Sequence, residues 1–80
     1  MSSRPEEQDS WDAGHLGCGE LVIELRQRLR RMPGQVLKVV AHDPAAPVDL
    51  PAWCRMTSNE LLGSDADTKS FWIRSKASWT

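Results

Sequence analysis

The sequence predicts a βαβαββ two-layer α/β sandwich, with two helices on one face of a mixed four-stranded sheet. A short apolar segment comes first, an amphipathic helical pattern follows it, and a run of β-branched residues follows the helix. A strand–helix–strand unit favours a parallel pair of strands. A second helical pattern and two strand-like segments then complete the chain, and the short turn between the last two favours a hairpin. Two helices are enough to cover only one face of such a sheet.

Composition and charge restrict the function further. The chain has 80 residues, with 40% hydrophobic and 26% charged residues, which is typical of one small globular domain. A net charge of -1 predicts weak long-range attraction to nucleic acid or to anionic lipid. The sequence shows no apolar run long enough to cross a bilayer, so we expect no membrane contact. It shows no secretory signal, so we expect a cytoplasmic protein, and we expect it to be a monomer. We predict a flexible tail over residues 1–10, a domain over 11–75 and a flexible end over 76–80.

The first two elements are a short strand and a long helix. Trp11 to Leu16 is predicted to form the strand. A helix is predicted over residues 19–32, because Val22, Leu25, Leu29 and Met32 recur at intervals of three and four. Pro33 and Gly34 end it, and its acidic residues come early and its arginines late, as the helix dipole favours.

The second half of the chain contains one helix and three strands. Val36 to Ala41 is β-rich and mostly apolar, which is typical of a central strand. Asp49 is predicted to cap the second helix, with Pro51 in its first turn and Leu50 and Trp53 on its apolar face. The remaining predicted elements are a turn-rich loop over 43–47, a strand starting at Leu61–Leu62, a polar turn over 63–69 and a strand over 70–74.

Cys18 is the candidate catalytic residue, because it lies between Gly17 and Gly19 directly before the first helix. The unpaired amides and the dipole at a helix N-terminus favour thiolate over thiol and lower the pKa of a cysteine placed there. The flanking glycines leave its sulfur approachable, Glu20 opposes the shift, and His15 is a candidate to accept its proton. Such a thiolate can attack a sulfane sulfur and hold it as a persulfide. The structural alternative is a small, partly buried residue at a tight turn.

The other polar and sulfur-containing residues have simpler interpretations. Cys54, beside Trp53, is predicted to be a core thiol, and a reducing compartment argues against a Cys18–Cys54 disulfide. The two cysteines with His15 and His42 match no zinc-ligand spacing, so neither a metal nor another cofactor is expected. Four arginines lie on the predicted first helix: Arg26, Arg28, Arg30 and Arg31. One interpretation is a docking surface, either for an acidic partner protein or for tRNA phosphates. The other is a solvated helix face whose charge suits the C-terminal end of the helix dipole.

The order of short motifs resembles the TusA/SirA-like sulfur-carrier family over residues 11 to 74. The motifs that carry the resemblance are Trp11-Asp12-Ala13-Gly14-His15-Leu16-Gly17-Cys18, Met32-Pro33-Gly34, Asp43-Pro44, Asp49-Leu50-Pro51, Trp53-Cys54 and Glu60-Leu61-Leu62. The resemblance implies the βαβαββ fold, a cytoplasmic protein and a persulfide on Cys18. It also implies a sulfur donor, such as a cysteine desulfurase or a rhodanese-like protein, and a further relay protein as acceptor. Such relays serve tRNA thiolation, molybdenum-cofactor biosynthesis or sulfur oxidation.

The chain departs from the family pattern immediately after the cysteine. The family signature is Cys-Pro-x-Pro, whereas this chain has Cys18-Gly19-Glu20-Leu21. Loss of the first proline is expected to loosen the helix start by ~1 kcal/mol, because glycine has more freedom in the unfolded chain. Ser58-Asn59 likewise replaces the Gly-His that precedes Glu-Leu in the family. The alternative function is therefore a protein-interaction module that keeps the fold and has lost sulfur transfer.

Overall fold

A computed structural model of the chain describes residues 5–79, and residue 18 by its backbone alone. The elements are β1 (Asp9–Gly14), α1 (Cys18–Arg30), β2 (Val36–Ala41), α2 (Ala46–Thr57), β3 (Glu60–Asp65) and β4 (Ser70–Arg74). This order confirms the predicted βαβαββ two-layer sandwich.

The four strands form one mixed sheet in the order β1-β2-β4-β3. The pair β1–β2 is parallel, whereas β4 runs antiparallel to both β2 and β3. The carboxyl ends of β1, β2 and β3 therefore meet at one edge of the sheet, here called the carboxyl edge. The predicted parallel pair and the predicted final hairpin are both confirmed.

The hydrophobic core lies between the two helices and one face of the sheet. Leu21, Leu25 and Leu29 recur at intervals of four on α1, and all three are fully buried. The helices pack on alternate residues of the strands, because successive strand side chains point to opposite faces. The remaining core members are Ala13, Met32, Leu37, Val39, Ala41, Ala46, Leu50, Cys54, Phe71 and Ile73.

The first strand lies two residues earlier than predicted. Trp11 to Leu16 was the expected segment, whereas β1 runs from Asp9 to Gly14. Its outer residues are polar because β1 is an edge strand, so only Trp11 and Ala13 face the helices. The strand ends where the Asp12 carboxylate accepts a hydrogen bond from the Gly14 N–H (2.8 Å) and Gly14 turns to a φ of 59°.

The helix ends also differ from the prediction. α1 ends at Arg30 rather than at residue 32, because Pro33 disfavours helical geometry in the residue before it. The predicted N-cap at Asp49 is wrong: Ala45 occupies the N-cap of α2, and Asp49 lies in the first turn. Pro51 consequently lies inside α2 and not in its first turn. Pairing with β4 likewise extends β3 to Asp65, through part of the predicted polar turn.

The described parts of both chain ends contact the domain. At the N-terminus, the Gln8 backbone N–H donates to the Val36 carbonyl (2.9 Å), beside the start of β1. Near the C-terminus, Trp79 packs against the core and its indole N–H donates to the Ser75 hydroxyl (2.9 Å). Residues 1–4 of the predicted tail and residue 80 of the predicted end lie outside the described residues.

Over residues 5–79, neither helix has the length and apolar character that would let it cross a bilayer.

Candidate functional site

The candidate site lies at the carboxyl edge, where β1 passes into α1. A tight turn over residues 14–17 makes this connection, and the Leu16 N–H donates to the Ala13 carbonyl within it (3.2 Å). The turn brings Cys18 directly to the first position of α1. The sequence prediction that Cys18 lies at the start of the first helix is thus correct for its backbone.

The N-terminus of α1 keeps its first amides free of a side-chain cap. Gly17 is the N-cap residue, and its carbonyl accepts the first helical hydrogen bond from the Leu21 N–H (2.8 Å). Among the described side chains, none hydrogen-bonds to this helix end. The N–H groups of the first turn and the helix dipole therefore favour a negative group here. Glu20, the acidic residue of that turn, is itself exposed.

The two glycines beside Cys18 leave space around it. Gly17 and Gly19 are both exposed, and apart from adjacent residues and the local helix backbone, no described atom lies within 4 Å of the position that a Cβ would take at either residue. Their backbones would thus accept a side chain, and their effect is to keep the turn open. The side chain of Cys18 itself lies outside the described part of the structure, so the predicted exposure of its sulfur stays a prediction.

A second histidine joins His15 at the carboxyl edge. The ring centroids of His15 and His42 are 5.2 Å apart, and both side chains are exposed. The His42 N–H donates to the Gly14 carbonyl (3.0 Å), which ties the end of β2 to the end of β1. The sequence interpretation gave His42 no role at the cysteine. The available signal was that each histidine lies near the carboxyl end of one of two strands predicted to be parallel.

Cys54 lies in α2 and away from solvent. Its side chain is 2% exposed, and it is a free thiol. Desolvation by burial raises the pKa of the Cys54 thiol from 9.0 to about 11. Because the thiolate is the nucleophilic form, Cys54 is unreactive near neutral pH.

The four arginines of α1 do not form one cluster. With about 100° per residue, Arg26 and Arg30 share one side of the helix, and Arg28 and Arg31 share another. The Arg28 guanidinium carbon lies 4.5 Å from the ring centroid of Trp11, and its Nε is buried without a hydrogen-bond partner among the described residues. Arg28 is therefore partly a packing residue, while Arg26, Arg30 and Arg31 are exposed.

A cavity of about 330 Å³ borders the site at the carboxyl edge. Its apolar floor includes Ala41 and Phe71, and its rim includes His42 and Lys69. Among the described side chains, no group of three or more His, Cys, Asp or Glu could hold a metal ion. At the carboxyl edge, the described residues thus place two imidazole rings near the start of α1, which has no side-chain cap.

The protein is thus a small α/β domain in which the backbone of a cysteine, Cys18, lies at the N-terminus of a helix. Comparison with known proteins then identifies its relatives. The family model described as sulfurtransferase TusA matches residues 11–75. A sulfur carrier protein TusA of Pseudomonas entomophila (strain L48) is 44% identical over 69 residues, covering 82% of this chain and 86% of the relative.

Two further relatives carry the same name. That of Pseudomonas putida (strain GB-1) is 44% identical over 69 residues, with 82% of this chain and 86% of the relative covered. That of Pseudomonas aeruginosa (strain LESB58) is 41% identical over 69 residues, with 82% and 87% covered. The chain belongs to the TusA family of sulfur carriers, which confirms the resemblance drawn from its motifs.

Proposed function

We propose that this protein holds sulfane sulfur as a persulfide on Cys18 and passes it to a partner protein. The observation that carries the proposal is the position of the Cys18 backbone at the uncapped N-terminus of α1. Unpaired amides and a helix dipole in this position favour the thiolate form of a cysteine over the thiol. Membership of the sulfur-carrier family favours this function over an interaction module that has lost sulfur transfer.

The proposed transfer is an exchange between a thiolate and a persulfide, with no net oxidation or reduction. The Cys18 thiolate attacks the terminal sulfur of a donor persulfide, and a new S–S bond forms to Cys18. The donor S–S bond breaks, and its electron pair leaves with the donor thiolate. An acceptor thiolate then attacks the terminal sulfur on Cys18 in the same way, which regenerates the Cys18 thiolate.

The surrounding residues tune this exchange. Gly17 and Gly19 leave room for a donor group to approach, since both are exposed and open. Glu20 opposes thiolate formation and moderates the effect of the helix end. His15, with its ring beside His42, is the candidate to accept the thiol proton.

The partners follow from the same chemistry. A donor must itself carry a persulfide, as a cysteine desulfurase or a rhodanese-like protein does, and the acceptor must offer a thiolate. The exposed Arg26 and Arg30, which share one side of α1, supply a positive surface for an acidic partner. A reducing cytoplasm suits this function, because it keeps the free Cys18 thiol available between transfers. No further cofactor is required, and the link to tRNA thiolation is an indirect one through the acceptor.

Mass spectrometry after incubation with a persulfide donor tests the proposal. The wild-type protein is expected to gain about 32 Da, the mass of one sulfur atom, because one reactive thiolate takes up one sulfane sulfur. The adduct is expected to disappear in Cys18→Ser and to persist in Cys54→Ala, since the Cys54 thiol is buried and protonated.

Two results would contradict the persulfide proposal. One is an adduct found equally on Cys54, and the other is a Cys18 thiol with a pKa near the free value of ~8.5. Either result would favour the interaction module, in which Cys18→Ser leaves partner binding unchanged.

A further inference from the structure

The solvent side of α2 carries a stripe of apolar residues. The described residues include three exposed large hydrophobic side chains, and two of them, Val48 (74%) and Met56 (81%), lie on α2. Ala52 lies midway between them, so the three recur at intervals of four and share one side of the helix. The opposite side of α2 packs on the core through its buried residues, Ala46, Leu50 and Cys54. We call the exposed set Val48, Ala52 and Met56 the α2 stripe.

One acidic and one basic residue flank the α2 stripe. Asp49 and Arg55 are both exposed, and neither has an ion-pair partner among the described residues. With about 100° per residue, Asp49 lies about 60° to one side of Ala52 and Arg55 about 60° to the other. Asp49 comes three positions before Ala52, and Arg55 comes three positions after it. The two charges are therefore placed symmetrically about Ala52, as Val48 and Met56 are.

This symmetric placement makes the exposed side of α2 complementary to itself. A two-fold axis through Ala52 would set a second copy of α2 antiparallel to the first, and each residue would then face the one equally far from Ala52 in the other direction. Val48 would meet Met56 of the second copy, and Asp49 would meet Arg55. Each of these contacts would occur twice. The small side chain of Ala52, on the axis, would let the two helices approach closely.

We propose that the protein forms a weak two-fold dimer through the exposed side of α2. The charge pattern favours a second copy of the chain, because opposite charges at mirrored positions neutralise each other only in a symmetric pair. The surface is short, since the 12 residues of α2 span about 18 Å, so we expect association at high concentration only. The dimer differs from the expected monomer, because the self-complementary pattern emerges only once the exposed side of α2 is known.

The proposed dimer is independent of sulfur transfer. α2 follows β2 and therefore starts at the carboxyl edge, where Cys18 also lies. Because the two copies of α2 run antiparallel, the two carboxyl edges lie at opposite ends of the dimer. Both candidate sites stay open to a partner, so sulfur loading is expected to be the same in the monomer and in the dimer.

Sedimentation velocity of the full-length chain, from about 20 μM to about 1 mM, tests the dimer. The wild-type protein is expected to follow a monomer–dimer equilibrium over this range. Asp49→Arg sets the introduced arginine against Arg55 of the other copy at both contacts, and it is expected to weaken association about tenfold. Arg55→Asp sets two carboxylates against each other in the same way and is expected to have the same effect.

Two rescue measurements distinguish this pairing from a general effect of charge. The double variant Asp49→Arg/Arg55→Asp restores opposite charges at both contacts and is expected to associate as the wild type does. An equimolar mixture of the two single variants is expected to form a mixed dimer about tenfold more tightly than either variant pairs with itself. In that mixture each copy supplies the charge that the other lacks.

Met56→Ser and Ile23→Ser are a matched pair, because each removes an exposed hydrophobic side chain from a helix. Met56→Ser is expected to weaken the dimer about tenfold, since the residue contacts the second copy twice. Ile23→Ser is expected to leave association unchanged, because Ile23 lies on α1 and outside the α2 stripe. Circular dichroism verifies that every variant is folded.

Three results would overturn the proposal. The first is a wild-type protein that stays monomeric at about 1 mM, which would leave the α2 stripe to a different protein. The second is a failure of both the double variant and the mixture to restore association. The third is equal weakening of the dimer by Met56→Ser and Ile23→Ser.

Discussion

At the scale of single residues, the two cysteines have opposite surroundings. Cys54 is enclosed by the core, and burial raises the pKa of its thiol to about 11. Cys18 begins a helix between two exposed glycines. The same fold therefore desolvates the thiol of Cys54 and places the backbone of Cys18 at a helix end. Under the proposed function, this difference confines sulfur loading to one position.

Because burial raises the pKa of the Cys54 thiol, the protein is expected to lose stability at alkaline pH. Between pH 9 and 11 the unfolded chain has released the Cys54 proton while the folded chain still holds it. The folded state binds more protons there, so the free energy of unfolding falls as pH rises through this window. The contribution is absent below about pH 9 and amounts to about 2 kcal/mol by pH 11. Urea unfolding at a series of pH values measures it.

Cys54→Ala provides the comparison for that series. The variant is expected to lose about 2 kcal/mol less stability than the wild type over the same pH window, because it lacks the titrating thiol. Its absolute stability is lower at neutral pH, since it removes a buried sulfur, so the slopes of the two curves decide the outcome. Parallel curves for the two proteins would show that Cys54 ionises as easily in the folded state as in the unfolded one.

At the scale of elements, the start of α1 has low intrinsic stability. Gly19 lies in the first turn beside Cys18, and glycine is the least favourable non-proline residue within a helix. The family's proline after the cysteine would restrict the unfolded chain, whereas Gly19 does not. The first turn of α1 therefore depends on the packing of Leu21 and Leu25 more than on its own sequence.

Substitution of Gly19 by alanine is expected to increase the stability of the protein. Gly19→Ala is expected to raise the free energy of unfolding by about 0.5–1 kcal/mol, because alanine favours the helix and no described atom obstructs its methyl group. Gly34→Ala is the matched control. Its added methyl group also meets no described atom within 4 Å, but its φ of 76° strains any other residue, so it is expected to destabilise by about 1 kcal/mol. Thermal unfolding of both variants measures the two signs, and a loss of stability in Gly19→Ala would contradict the first.

Local sequence patterns were sufficient to predict the central elements. The recurrence of Val22, Leu25, Leu29 and Met32 at intervals of three and four predicts α1, and the run from Val36 to Ala41 predicts β2, because each pattern follows the period of its element. The N-terminus of α2 was mispredicted because Asp49 is a good cap residue by type. The loop instead makes its own turn, with the Ala46 N–H donating to the Asp43 carbonyl (3.0 Å), so the helix starts before Asp49.

Features that depend on contacts between distant residues could not be read from local patterns. Cys18 was identified at the helix start because its glycines and the helix pattern are adjacent in sequence. The His15–His42 pair forms only when β1 and β2 align in parallel, and the Glu7–Trp72 hydrogen bond joins the first described residues to the last strand. A polar segment such as residues 5–8 has no periodicity that would reveal the surface on which it lies.

At the scale of the whole molecule, Ser75 joins four parts of the chain at the end opposite Cys18. Its hydroxyl donates to the Leu29 carbonyl (2.7 Å) in α1 and accepts from the Trp79 indole N–H (2.9 Å). Its backbone N–H donates to the Gln35 carbonyl (2.8 Å), and its carbonyl accepts from the Gly34 N–H (3.0 Å). Ser75 is 1% exposed, so water cannot replace these hydrogen bonds. The end of α1, the turn before β2, the end of β4 and the last described residues are thereby held together.

Removal of the Ser75 hydroxyl is expected to lower the stability of the whole domain and to have little effect on the proposed reaction at Cys18. Ser75→Ala leaves the Leu29 carbonyl without its hydroxyl donor and the Trp79 N–H without an acceptor, and is expected to cost about 1–3 kcal/mol in urea unfolding. Ser64→Ala, at an exposed serine of β3, is expected to change stability by less than about 0.5 kcal/mol. The length of α1, about 20 Å, separates Ser75 from Cys18. Persulfide formation at Cys18 should therefore proceed at the wild-type rate in the folded Ser75→Ala protein, and a slower rate would show that the two ends of α1 are coupled.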